Sequence, residues 1–523
     1  MALPWTRDIR AYWSPAELCT PVVNTATESV RSEENAGSSH VLRRSMRTVA
    51  LLSPTSGNLG NAAMQRAMIA NLRKRIAGVE IYGITLNPEE TRRRHGIEAF
   101  PLAGASLPHY APLSSTTSSV PTQQTSQFGR TRQRLKEIPL LRFVVRRVKR
   151  AVFSAVASAP RRVTSRISRF IHPVAKELEH IRGAARFARG LDCIIVPGGG
   201  ALDDFWGGPW GQPWALFKWS LLSRLIGVPF LFVSIGKCSL DRRLSRFFAG
   251  LALRFATYRS YRDPVSKKAA QALIDSRNDK VYPDLAFSYP VPVIRGSSPP
   301  GSEGRRLVVG VSPIAYCDPR TWPRKDEIRY TAYVSRLTAM VRWLIKEGHG
   351  VFFFTTDGPD TTTVADVEAA LCAAGTAPDT CRTLPGAPEQ TPDGLLRDLS
   401  SADLIVASRL HGVILSHLNG IPVLALSFDP KVDAHMDAIG QRDFCLDIDD
   451  LQLEAIVERF RVLSARRKKE AAHIRWMGLS FREQLDEQYD RLFGAVGVSP
   501  VKSEGQNQTE ITPMDPARSV TVI

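Results

Sequence analysis

From residue 48 onward, short apolar runs of strand length alternate with longer stretches in which apolar residues recur every three or four positions, the pattern of strands alternating with amphipathic helices. In the first part, Val49 to Ser53, Val79 to Leu86, Asp192 to Val196 and Pro229 to Ile235 read as strands. Helices are predicted from Ala62 to about Arg75, around Trp214 to Ile226 and from about Leu240 to Ala256, with a short one opening at Pro264. The second part repeats the rhythm. Its strands are Leu307 to Pro313, Val351 to Thr356, Ala402 to Ala407, Val423 to Phe428 and Phe444 to Ile448. Its helices are Tyr330 to Lys346, Thr362 to Ala374, Val413 to Asn419 and a tail from Leu451 to about Phe493. Strict strand, helix, strand order implies parallel βαβ units, so the expected class is α/β with two Rossmann-like domains facing a cleft. Ligands of such sheets bind outside the carboxyl ends of the strands.

The division follows from composition. Residues 1–45 and 497–523 are polar and weakly periodic, which predicts disordered ends. The first domain is expected over 46–290, interrupted by a partly low-complexity insert at about 104–189, and the second over 305–493. Pro290 to Gly304, rich in Pro, Gly and Ser, is the expected linker. A length of 523 residues suits two full cores, and no apolar run approaches the roughly 20 residues that span a bilayer. The seven cysteines are scattered, without a CxxC pair, and the first 15 residues lack the layout of a cleaved secretion signal, so a cytoplasmic enzyme is the expectation.

The formal charge of +18 changes this picture less than it first suggests. Arg130 to Arg189 holds 17 Lys or Arg against three acids, so one segment carries most of the excess. Within it Leu141, Val148, Val152 and Val156 fall at helical spacing with Arg142, Arg146, Lys149 and Arg150 on other faces. A basic amphipathic helix of this kind suits peripheral contact with an anionic membrane surface, or else is a solvated linker. Nucleic acid is disfavoured as a partner, because the charge is remote from the motifs and lacks interleaved aromatic residues for base stacking.

Candidate chemistry collects at the predicted strand ends. Ser408-Arg409-Leu410-His411-Gly412 joins a strand to a helix, which offers an anion the helix amides and a guanidinium, with an imidazole beside it to give or take a proton. The alternative is a core histidine satisfied by backbone. Arg262-Asp263 before Pro264 either caps the helix as an ion pair or meets a carboxylate or phosphate. Asp429 and Lys431 end another strand, as a rim of the same cleft or as a solvated pair. Gly57-Asn58-Leu59-Gly60-Asn61 and Gly198-Gly199-Gly200 are turns where backbone approaches a ligand closely or packs tightly. Asp203, Trp206 and Trp210 beyond the glycines suit a sugar ring, or else form a packed lid. His411, His417 and His435 have no metal-ligand spacing, and no metal site is expected.

Taken in order, these segments resemble the polysaccharide pyruvyl transferase family. The likeness runs through most of residues 48–445: GNLG at 57–60, the triple glycine with an acid nearby, Arg262-Asp263-Pro264-Val265-Ser266, Pro283-Asp284, Ser408-Arg409-Leu410-His411, Gly420-Ile421-Pro422 and Asp429-Pro430-Lys431. The family's first turn usually ends in Asp, where this chain has Asn61. The resemblance implies a GT-B-like fold and transfer of the pyruvyl group of phosphoenolpyruvate, a co-substrate with no further cofactor, onto a sugar diol of a polysaccharide or its lipid-linked precursor. The products would be a cyclic pyruvate ketal and phosphate. His411, Arg409 and Arg262 are then the expected catalytic residues. Leu410, Gly412 and Lys431 join those three as donor contacts. Asn58, Gly198, Gly199, Gly200, Asp203 and Trp206 are the expected acceptor contacts. Two other readings of the same chain are a GT-B glycosyltransferase using a nucleotide sugar and a non-catalytic membrane- or nucleic-acid-binding assembly protein.

Overall fold

The computed structural model describes residues 46–54, 57–104, 176–205, 207–290, 306–377, 380–387 and 389–497. The expectations of disordered ends, of a linker after Pro290, of a basic helix around Val148 and of a sugar contact at Trp206 concern residues outside these. The last part of the basic segment is described, and residues 176–188 form a helix.

Two parallel sheets carry the fold. The first has seven strands, β1 (Thr48–Ser53), β2 (Glu80–Thr85), β3 (Ala99–Pro101), β4 (Cys193–Pro197), β5 (Phe230–Ile235), β6 (Tyr258–Tyr261) and β7 (Lys280–Val281), in the order β3-β2-β1-β4-β5-β6-β7. The second has six, β8 (Val308–Ser312), β9 (Gly350–Phe353), β10 (Cys381–Thr383), β11 (Leu404–Ala407), β12 (Val423–Ser427) and β13 (Cys445–Asp447), in the order β10-β9-β8-β11-β12-β13. Both orders are those of the doubly wound Rossmann sheet, with one strand added to the first. The winding reverses between β1 and β4 and again between β8 and β11. At those points the carboxyl ends open a crevice, and they lead directly into Gly57–Asn61, Gly198–Gly200 and Arg409–His411.

Local chemistry explains the helix starts. Helix α1 (Leu59–Arg75) opens where the Asn58 side chain accepts the Asn61 amide at 3.0 Å, and it closes on Arg73, Lys74 and Arg75, which suit the negative end of its dipole. The predicted start at Ala62 is therefore three residues late: the GNLG turn supplies the cap and the first turn. The helix after β11 likewise spans Leu410–Leu418 rather than Val413 to Asn419, so His411 lies inside its first turn. Its cap residue Arg409 is held extended, at φ −82° and ψ 139°, by its side-chain contacts described below.

The apolar core is continuous between the halves, running from Leu51 and Ile195 of the first sheet to Val311 and Ile405 of the second. The last helix, Leu453–Ala495, joins them mechanically. Phe481 packs edge-on against Phe287 at 4.9 Å between ring centroids, and Gln488 donates to Ser260 Oγ at 2.7 Å and pairs with Ser234.

Candidate active site

The loops at the carboxyl ends of the two sheets meet. Asn58 forms an antiparallel bridge to Asp357, and the Leu59 amide donates to the Thr356 carbonyl at 2.9 Å. Gly60 lies against the His411 ring so closely that a Cβ there would sit 2.0 Å from Cγ, which excludes any side chain. The GNLG turn thus serves as the bed for an imidazole from the other half.

His411 turns Nε2 toward Asp284 Oδ2 at 3.6 Å, beyond hydrogen-bond length, and that buried nitrogen has no other partner among the described residues. Asp284 follows β7 and caps the short helical turn Leu285–Ser288 through Oδ1, which accepts the Ala286 amide at 3.0 Å. Its Oδ2 also accepts from Arg262 Nη1 at 3.3 Å. Burial opposes ionisation of Asp284, but His411 and Arg262 outweigh it and hold the carboxyl well below its usual range.

Arg262 follows β6 and is buried. Its Nε lies 3.5 Å from Asp263 Oδ2, while Asp263 Oδ1 accepts the Ser266 amide at 2.6 Å and caps the helix Pro264–Gln271. Capping and ion pairing are therefore both present. Beyond them, Nη2 is buried with no partner among the described residues, and Gly236 lies beneath it, where a Cβ would sit 2.4 Å away. Burial alone would weaken the guanidinium's charge; Asp284 and Asp263 more than restore it.

Arg409 is tied down. Its Nη2 donates to Asp360 Oδ1 at 2.8 Å, its Nε bonds the other oxygen of the same carboxylate, and Nη1 lies 3.1 Å from Asp357. Burial works against its charge, and the two carboxylates reverse this and raise its basicity. Lys431 sits on the helix Pro430–Ala438, capped by Asp429, and its Nζ lies 3.0 Å from Asp429 Oδ2. The ammonium reaches across to the first half, 3.8 Å from Cys238 Sγ, and Cys238 in turn lies where a Cβ on Gly200 would be, 2.5 Å away. Burial pushes the Cys238 thiol up to about 11, so it is a neutral neighbour.

The triple glycine is spent on packing. Gly198 and Gly199 adopt φ of +68° and +75°, and Cβ atoms there would strike Met64 Sδ and Asn61 Oδ1. Asp203 is 8% exposed; its Oδ1 accepts amides from Phe205 at 3.0 Å and Ser239 at 3.3 Å. Burial raises its carboxyl to about 6 despite those bonds. Beside it, Phe205 meets Trp322 edge-on at 5.7 Å, and Trp322 and Tyr316 both meet Phe428, whose ring lies 5.6 Å from Lys431 Nζ. The aromatic wall therefore draws on both halves. Trp210 is 57% exposed and packs at 5.6 Å against Trp214.

A sequence model of the family described as polysaccharide pyruvyl transferase matches residues 58–430. The chain belongs to the polysaccharide pyruvyl transferase family. It is accordingly a transferase, and the match runs from the cap of α1 to the first residue of the helix that carries Lys431, taking in every other residue of the cleft named above. Among curated proteins none matches significantly. Solved structures give only slight likenesses. MnaA of S. aureus in a co-structure with UDP is 10% identical with a TM-score of 0.48, over 86% of this chain and 98% of that one. HepE of Anabaena in complex with UDP is 11% identical with a TM-score of 0.47, over 85% and 100%. Likenesses this slight say nothing about the chemistry of this pyruvyl transferase family member.

Four cleft residues lay outside the expectations. Asp284 was legible only as part of Pro283-Asp284. Asp357 and Asp360 flank a Gly-Pro turn after β9, an ordinary loop by composition, and Cys238 is an isolated cysteine. His435, also on the helix Pro430–Ala438, puts Nε2 3.0 Å from His417 Nδ1 and is charge-coupled to Asp284, Arg262 and His411. Burial lowers its imidazole to about 4.

Proposed function

We propose that this enzyme transfers the pyruvyl group of phosphoenolpyruvate to two hydroxyls of a sugar in a polysaccharide or its precursor, releasing phosphate and forming a cyclic ketal. The observation that carries the reading is the buried trio in which Asp284 stands between the His411 imidazole, at 3.6 Å, and the Arg262 guanidinium, at 3.3 Å, inside the span matched by the family. A donor bearing a carboxylate and a phosphate needs cations, and Arg262 with its unspent Nη2 and Lys431 at the opposite wall are suited to that task. Arg409, committed to Asp357 and Asp360, meets the donor only through its remaining N–H groups and the rigid turn it holds.

In this reading His411 delivers a proton to the methylene carbon, leaving an oxocarbenium-like centre at the carbon bearing phosphate. One sugar hydroxyl attacks that carbon and gives up its proton to the imidazole. The carbon–oxygen bond to phosphate then breaks, the phosphate keeps the electron pair, and the second hydroxyl closes the ring as its proton passes to the departing phosphate or to solvent. Asp284, held ionised, faces the His411 ring from 3.6 Å and fixes its orientation. The acceptor would lie over Gly200 and Asp203, against the aromatic wall of Phe205 and Trp322. A cytoplasmic site of action fits a soluble donor of this kind, and among the described residues no helix is long and apolar enough to cross a membrane.

The test is incubation with phosphoenolpyruvate and diol-bearing glycans, following phosphate and the ketal methyl signal together. His411→Ala is expected to lower kcat by about 10²- to 10⁴-fold, the contribution of a positioned proton donor. Full activity in that variant, or turnover of a nucleotide sugar in place of phosphoenolpyruvate, would overturn the reading.

A further inference from the structure

The long final helix has a second character away from the cleft. From Arg459 to Arg482 it carries eight basic residues against one acid, Glu470, whereas its remaining turns to Ala495 hold four acids and one Arg. Three contacts locate the basic stretch. Phe460 meets the ring of Trp343 at 5.4 Å just ahead of β9; a Cβ on Gly420, which leads into β12, would sit 2.7 Å from Arg475 Cγ; and His473 donates to the Ile439 carbonyl ahead of β13 at 3.0 Å. Each partner precedes a strand, so this stretch runs along the amino-terminal edge of the second sheet, opposite the active site.

A basin of about 410 Å³ opens there, lined by Trp343, Phe460, Arg461, Arg467 and Lys468, with Glu347 as its one carboxylate among the described residues. Glu347 is already paired with Arg461 at 3.5 Å, which leaves an excess of positive charge facing solvent. Along the same helix Lys468, Lys469 and Arg475 are exposed, and beside them Trp476 is 64% and Leu479 55% exposed, two large apolar side chains a single turn apart. Exposed cations on the same helix as an exposed Trp and Leu are the composition of helices that lie on anionic bilayers, the cations against lipid phosphates and the indole at the headgroup level.

We propose that this face of the final helix docks the enzyme onto an anionic phospholipid surface, with a lipid phosphate entering the basin at Arg461, Arg467 and Lys468 and with Trp476 and Leu479 inserted at the interface. The docking element is separate from the residues 130–189 whose composition alone suggested membrane contact, and it is independent of the chemistry in the cleft. Because the active site faces away, docking leaves the cleft open to glycan extending from the surface and to soluble substrate.

Co-sedimentation of the full chain with vesicles of phosphatidylcholine containing about one third phosphatidylglycerol tests this, with pure phosphatidylcholine as the comparison. The wild type should bind the anionic vesicles and not the neutral ones. K468E/K469E should weaken binding by about 25-fold or more, since each cation near such a surface contributes about fivefold. W476S/L479S should weaken it further at high salt, where the charge contribution is screened. All four positions are exposed, so both variants should keep the wild-type melting temperature and phosphate release on soluble acceptor. Equal binding to neutral vesicles, or undiminished binding by K468E/K469E, would overturn the proposal. So would tighter binding to single-stranded RNA than to the anionic vesicles, abolished by the same pair of charge reversals.

Discussion

Asp284 and Asp203 are both buried carboxylic acids at strand ends, and their surroundings drive them in opposite directions. Asp284 is held ionised by His411 and Arg262, so its contribution to stability is fully present above about pH 4 and is lost as acid protonates it. Asp284→Asn leaves the buried Arg262 with only the longer contact to Asp263, which is expected to cost on the order of 3 kcal/mol in urea unfolding, together with most of the turnover. Asp203 is the reverse case, raised by burial to about 6. Its contribution is fully present below about pH 4 and disappears as pH rises through 6, a loss on the order of 3 kcal/mol relative to Asp203→Asn over that interval. Unfolding curves at pH 4, 5 and 6 check this: matching slopes for wild type and Asp203→Asn would show that Asp203 is ordinary. A carboxyl titrating near 6 beside the acceptor side of the cleft is also suited to receiving a hydroxyl proton.

The helices that open at Leu59 and Leu410 touch across the cleft, because one presents Gly60 and the other lays His411 on it. Gly60→Ala would drive a methyl into the imidazole at 2.0 Å. Either the ring or the helix must move, with an expected stability cost of about 1–3 kcal/mol and a fall in kcat exceeding any change in the melting point. Unchanged kcat in Gly60→Ala would separate His411 from the chemistry. These elements were largely legible in the sequence, since β1, β4 and β8 are apolar runs followed at once by Pro54, Gly198 and Pro313, and β11 is an apolar run between Asp403 and Ser408. What escaped was short or polar: β3 at Ala99–Pro101, β10 at Cys381–Thr383 and the helix Pro88–His95 bury too few residues to show a period, while the helix Pro392–Leu399 buries Pro392, Leu395, Leu396 and Leu399 at helical spacing but is only eight residues long. The partners of Arg409 escaped for another reason. Asp357 and Asp360 precede it by about fifty positions, and only the register of β9 against β8 and of β8 against β11 brings their loops together.

Both halves contribute to the cleft: His411, Lys431 and Arg409 come from the second, and Asp284, Arg262, Cys238 and Gly60 from the first. Such a site exists only while the halves stay joined. The continuous core and the final helix, with Phe481, Gln488 and Tyr489 buried against the first half, provide that join. The same helix carries the proposed lipid-docking face on its basic stretch, so one element would fix the geometry of the cleft and the enzyme's location together. The central claim is that the methylene carbon of phosphoenolpyruvate takes up one exchangeable proton as the ketal forms, and it is tested most directly by running the reaction in D₂O with a diol-bearing glycan. The ketal formed is predicted to carry one deuterium in its methyl group and to appear in step with one phosphate. An undeuterated methyl, or phosphate released without any ketal, would contradict it.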